Sequence, residues 1–262
     1  MEEIEQQPAD RGRLTDVPWT IADMALGAAV AIGVFVVIVV VIAIGTILII
    51  GPEALSQLST TDMADIMALL RSEGVLNAWM ALLLAAMVIG EAGMPLGAWL
   101  FGVRRYRCGW RSLGFRSFKL WRGLALSALV VGLGILISYL YELLLGGAEI
   151  QASNDMYKAL TDSGFGIATV AITAVVVAPL AEETFFRGFL FAGISKRWGY
   201  SWGVIVSGAV FAVAHFGSGG LVPIFILGML LAWLYKRTGS VWPCILAHFA
   251  YNSLALLFMV IY

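Results

Sequence analysis

Residues 24–50 read MALGAAVAIGVFVVIVVVIAIGTILII, a run without a single charged side chain. A helix that crosses a bilayer needs roughly 20 predominantly apolar residues, so this stretch is long enough to span. Working outward, the rest of the chain repeats the pattern. Further apolar runs cover about 75–103, 123–145, 164–192, 201–217, 221–236 and 241–261, and the first extends over about 22–50. Hydrophobic residues make up 61% of the 262 and charged residues 13%, against roughly 25% charged in a soluble domain. The expected fold is therefore all-α: a polytopic transmembrane helical bundle of about seven spans. The fifth and sixth runs are short. Phe216-Gly217-Ser218-Gly219-Gly220 joins them, so tilted or incomplete crossings are expected there.

Charge sets the orientation. Lys and Arg concentrate on the cytoplasmic side of membrane proteins. With the N-terminus cytoplasmic, the inner segments hold Arg11, Arg13, Arg104, Arg105, Arg107, Arg111, Arg116, Lys119, Arg122, Arg187, Lys196, Arg197, Lys236 and Arg237. The outer segments hold only Arg71 and Lys158, together with acidic Glu53, Asp62, Asp65, Glu73, Glu149, Asp155 and Asp162. This requires an odd number of spans, with Tyr262 outside. The acidic start, without a short apolar core, does not read as a secretory signal. A net charge of −1 carries no message about nucleic acid. Cys108 and Cys244 have neither metal spacing nor a disulfide framework, and both lie near the inner face, where thiols stay reduced.

Three parts follow. Residues 1–21 form a polar cytoplasmic segment. Residues 22–145 hold the N-terminal transmembrane helices and a basic cytoplasmic loop, 104–122. Residues 164–262 form a C-terminal helical core, and the loop at about 146–163 is polar and outside. The basic loop also carries Tyr106, Trp110, Phe115, Phe118 and Trp121, which suits either a positive anchor between spans or an amphipathic segment on anionic headgroups. Gly90, Gly93 and Gly97 offer a thin face to a neighbouring helix. Glu91, mid-span beside them, needs a partner, either in an active cavity or in a structural hydrogen bond.

The chemistry-bearing residues lie in the C-terminal core. They are Glu182-Glu183-x-x-x-Arg187, Phe211-x-x-x-His215 and His248-x-x-x-Asn252, and the chain has only two histidines. Titratable side chains in spans are expensive and mark function or pairing. At 1.5 Å per residue, Glu182 lies roughly 20 Å in from Lys196 and His215 ~22 Å from Tyr200. Counted from Arg237, Asn252 lies ~22 Å in, with His248 one turn shallower. One common level results, in a cavity expected to open to the cytoplasm. Residues four apart share a face, so His248 and Asn252 point together, Phe211 can wall the site below His215, and Glu183 can pair with Arg187. Glu182 is turned ~100° from Glu183 and is free towards the cavity.

Amide hydrolysis by water needs a base, a held water and donors for the oxyanion. A carboxylate in a low-dielectric cavity suits the base at neutral pH. Glu182 fits that role, with His215 orienting water and His248 and Asn252 donating to the tetrahedral oxyanion. No serine, threonine or cysteine stands in a comparable setting; Ser207 and Ser218 flank the fifth span as packing or loop residues.

In this order on successive apolar segments, E-E-x-x-x-R, F-x-x-x-H and H-x-x-x-N resemble the CPBP family. These are the CAAX proteases and bacteriocin-processing enzymes, also called ABI, with the Ras-converting CAAX endopeptidase as eukaryotic member. The resemblance covers about 164–256. It implies an intramembrane endopeptidase of the glutamate type. Glu182 and His215 would activate water, and His248 and Asn252 would form the oxyanion hole. Glu183, Arg187 and Phe211 would support them. The implied partners are a peptide or protein substrate, lipidated in CAAX processing, and membrane lipids. The implied place is the plasma membrane, and bacteriocin maturation or immunity is a further role within the family. No cofactor is implied. Two other classes stay open. A zinc hydrolase would use Glu182, His215 and His248 as ligands, a set zinc accepts, although no H-E-x-x-H is present. A transporter or non-catalytic adaptor would use the polar groups for binding, although no repeated halves are visible.

Overall fold

The computed structural model describes residues 16–51, 75–145, 168, 171–215 and 220–261. Among them are seven helices and no strand. These are α1 (Ile21–Ile50), α2 (Leu76–Arg104), α3 (Leu120–Leu145), α4 (171–198), α5 (Tyr200–Ala214), α6 (Leu221–Thr238) and α7 (Trp242–Ile261). Each coincides with one of the apolar runs. By length and composition α1, α2, α3 and α6 can cross a membrane. The outer-loop acids, the loop at 146–163, residues 1–15 and Phe216–Gly219 lie outside the described residues.

Helix α1 begins in a capping box. Asp23 N donates to Thr20 Oγ1 at 3.3 Å, and Thr20 N donates to Asp23 Oδ2 at 2.8 Å. The same carboxylate accepts from Tyr106 Oη at 2.6 Å and pairs with Arg105 at 3.2 Å, which ties the start of α1 to the end of α2. Further along, Ile32, Phe35, Val37 and Leu48 are exposed, as a lipid-facing surface requires. The helix packs on α2 through small residues. A Cβ at Gly97 would collide with the Gly27 carbonyl, and one at Gly93 would come within 2.9 Å of Val34. Gly90 meets nothing within 4 Å, so the expected three-glycine face uses only two of them.

Helix α4 is not regular. It runs as π-helix over Ala171–Val177, α-helix over Ala178–Glu183, π-helix over Thr184–Phe191 and α-helix over Ala192–Trp198. A π turn shifts the backbone bonding by one residue, and carbonyls in these stretches also receive side-chain donors. Ala174 O accepts from Asn252 Nδ2 at 2.7 Å, Phe186 O from Ser207 Oγ at 3.3 Å, and Phe189 O from Trp19 Nε1 at 3.0 Å. The residues around them form one core, in which Trp19, Phe185, Phe186, Phe189 and Phe211 are all buried. Ser207, expected to be a packing residue, packs there through that hydrogen bond.

At 15 residues α5 is roughly 22 Å long, short of a hydrocarbon core of about 30 Å. It stops three residues before the expected end, and His215 leaves helical geometry. Helices α5 and α6 approach through Gly208 and Gly228, where an added Cβ would sit 3.0 Å from the opposing Cα. Gly239, at φ +75°, ends α6. The basic loop folds as a short 3₁₀ turn, Trp110–Leu113, and is more than an anchor. Leu113 is buried against Gly188, Val241 N donates to Gly114 O at 2.9 Å, and Ser240 Oγ donates to Arg116 O at 2.6 Å. The loop closes this end of the bundle, while Trp110 and Trp121 stay exposed.

Candidate active site

The regular turn Ala178–Glu183 of α4 carries both glutamates, and both are buried. They face different neighbours, as a turn of about 100° between adjacent residues demands. Glu182 Oε2 lies 3.4 Å from His215 Nε2 and 3.9 Å from His248 Nε2. Glu183 Oε1 accepts from Arg187 Nη1 and from His248 Nδ1, at 2.9 Å each. Arg187 is fully buried and donates its second fork, Nη2, to Gly228 O at 3.2 Å.

Both histidines are oriented from behind. His215 Nδ1 lies 2.8 Å from Phe211 O, so Nδ1 carries the proton and Nε2 is the atom turned to Glu182. His248 donates Nδ1–H to Glu183 and also turns Nε2 to Glu182. With Nδ1 committed, His248 can donate from Nε2 only as an imidazolium. The ring of Phe211 holds the centre together. It lies 4.4 Å from the His215 ring, 5.8 Å from the His248 ring and 4.5 Å from the Arg187 guanidinium carbon.

Three of the four expected catalytic side chains therefore meet. Asn252 lies one turn beyond His248 and donates Nδ2 to Ala174 O, eight residues before Glu182. The expected depths change accordingly. Helix α7 starts at Trp242, after its own turn, so Arg237 does not mark its origin. His248 is about 9 Å into α7 and Asn252 about 15 Å. It is His248, rather than Asn252, that shares the level of the glutamates.

Two contacts lay beyond sequence reasoning. One is Glu183 to His248, because a carboxylate already paired at i+4 gave no reason to seek a second partner. The other is Asn252 to Ala174 O, which depends on the π geometry. Among the described residues, no group of three His, Cys, Asp or Glu side chains has the arrangement of a metal site. A groove of about 560 Å³ lies nearby, lined by residues that include Val88, Ala92, Leu180 and Thr184. None of the four expected catalytic residues lines it.

Among the described residues the fold is all-helical, with four helices long and apolar enough to cross a membrane. Residues 164–254 match the family described as Type II CAAX prenyl endopeptidase Rce1-like. The resemblance carried by the three motifs is borne out. The chain is also 25% identical to "Putative membrane peptidase YdiL" of Bacillus subtilis (strain 168), over 40% of this chain and 43% of that protein. It is 28% identical to "UPF0177 protein YxdF" of Lactococcus lactis subsp. lactis (strain IL1403), over 29% of this chain and 42% of the relative. An "Uncharacterized 24.3 kDa protein" of Escherichia coli is 28% identical over 47% of this chain and 59% of its own length. Each match thus spans around half of the relative. No solved structure matches the chain.

Proposed function

We propose that this chain is a multi-pass intramembrane endopeptidase that hydrolyses a peptide bond with water activated by Glu182. The observation that carries the reading is the approach of Glu182 Oε2 to both histidine Nε2 atoms, at 3.4 and 3.9 Å, among apolar helices. Water held between Glu182 and His215 gives a proton to the Glu182 carboxylate while its oxygen adds to the substrate carbonyl carbon. The tetrahedral oxyanion takes hydrogen bonds from His248 as imidazolium and from the second Nδ2 hydrogen of Asn252. Collapse breaks the C–N bond, and the proton on Glu182 passes to the leaving amine. Glu183 fixes the His248 tautomer, Arg187 offsets its charge, and Phe211 spaces the rings.

The family match over the catalytic helices favours C-terminal CAAX processing of a prenylated protein over bacteriocin maturation. The 14-to-2 division of basic residues favours seven spans, a cytoplasmic N-terminus and a cytoplasmic opening of the site, in the plasma membrane.

The test uses the full chain in lipid nanodiscs with a fluorogenic farnesylated CAAX peptide, and mass spectrometry of the products. Release of the last three residues, lost in Glu182→Gln, is the expected result. Full turnover by Glu182→Gln overturns the mechanism. Chelators should leave the rate unchanged; loss restored by added zinc would transfer Glu182, His215 and His248 to a zinc site.

A further inference from the structure

Glu91 stands in α2, outside residues 164–254 and outside all three motifs. We propose that Glu91 is a second carboxylate of the reacting centre, a positioning residue that acts through Glu182 and His215. This rests on the peptidase reading for its role in turnover, but not for the coupling itself.

Helix α2 packs directly on both the 178–183 turn and the π stretch after it. Val88, Ala92 and Pro95, which flank Glu91 on the same helix, line one groove with Leu180, Ala181 and Thr184, so Glu91 lies at the level of the turn that carries Glu182, and its carboxylate interacts electrostatically with Glu182 and His215. Its Oε2 is buried without a hydrogen-bond partner among the described residues, and the same is true of Glu182 Oε2. A structural carboxylate in a span would be expected to have a partner, because leaving it bare is costly. Glu91 Oε2 lacks the bundle hydrogen bond that a purely structural role would supply, and the carboxylate has two reactive neighbours.

The charged and titratable groups around this space are Glu182, Glu183 and Arg187 from α4, His215 from α5 and His248 from α7. Helix α6 brings the Gly228 carbonyl. Glu183 is already shared between Arg187 and His248. When Glu182 accepts a proton from water, the charge beside His215 changes by one. Glu91 is the neighbouring group that can take up that change by holding or releasing a proton of its own. Two carboxylates that interact in this way titrate as a pair, so Glu91 sets when Glu182 is available as base beside His215.

The chain contains only two histidines, which makes the coupling directly visible. In the full chain labelled with ¹³C/¹⁵N-histidine, the His248→Gln variant assigns the remaining ring signal to His215. Glu91→Gln should displace the His215 titration midpoint by about one pH unit. An unmoved midpoint overturns the proposal, whatever the protein cleaves. On the farnesylated peptide, Glu91→Gln should lower kcat roughly tenfold or more with KM nearly unchanged, displace the pH–rate profile, and be partly rescued by Glu91→Asp. Wild-type kcat and profile in Glu91→Gln, with Glu182→Gln inactive, remove Glu91 alone. Activity in Glu182→Gln removes the peptidase mechanism and leaves the histidine titration to decide on Glu91.

Discussion

At Glu183 a single carboxylate oxygen accepts hydrogen bonds from Arg187 Nη1 and His248 Nδ1. All three residues are buried, so the charges depend on one another. Breaking a buried pair by removing one partner leaves an uncompensated charge. Arg187→Ala is therefore expected to destabilise the protein by about 3–5 kcal/mol in a detergent-titration unfolding assay. Arg187→Lys should recover only part of this, because it keeps the charge but not the second fork to Gly228 O. Equal stability of the Lys variant and the parent would show that the fork does nothing. Glu182 sits one residue away and should behave in the opposite manner. Glu182→Gln keeps volume and removes the base, so unfolding should shift by less than about 1 kcal/mol while turnover disappears. Asn252→Ala should slow turnover by roughly 10²–10³ if the amide serves the oxyanion. A loss below about tenfold would reduce Asn252 to the bond that holds α7 to Ala174 O.

Among the elements, α4 concentrates the departures from regular geometry, and these departures fix its neighbours. Trp19, just before α1, reaches Phe189 O in the second π stretch and is fully buried. Trp19→Phe retains the ring packing and removes one of two donors to that carbonyl, since Ala192 N also bonds Phe189 O, at an expected cost of about 0.5–1.5 kcal/mol. Loss of stability within a few tenths of a kcal/mol of zero would mean that the bond from Ala192 N alone satisfies the carbonyl. Much at this scale was legible in advance. Apolar runs announced all seven helices, because hydrophobic length is a local property that the sequence states directly. The i, i+4 pairing of Glu183 with Arg187 and the stacking of Phe211 beside His215 were also readable, since helical periodicity decides them. The π stretches were not, because a one-residue widening leaves no mark on an apolar sequence. For the same reason the levels in α7 were misjudged. A depth counted from Arg237 runs through the Gly239 turn, whereas α7 begins only at Trp242, and only tertiary packing sets that stagger. Gly90 was grouped with Gly93 and Gly97 by spacing alone, whereas the crossing point on α1 selects only the latter two.

Across the whole molecule, one end of the bundle is basic, aromatic and well packed, and from the bias of Lys and Arg we propose that this end faces the cytoplasm. The loop after α2 is tied to the turn after α6 by Val241 N to Gly114 O and by Ser240 Oγ to Arg116 O, so the two halves of the chain share a single closed end. That end contains a natural reporter. Cys108 is partly exposed there, while Cys244 is buried between α6 and α7 with its thiol on Leu231 O at 3.4 Å. A membrane-impermeant maleimide applied to intact cells should therefore leave the protein unmodified. The same reagent on opened membranes should modify one thiol, and Cys108→Ser should abolish that signal. Labelling of Cys108 in intact cells would reverse the orientation, put the Arg104–Lys119 charges outside against the usual bias of Lys and Arg, and require substrate to reach Glu182 from the opposite face.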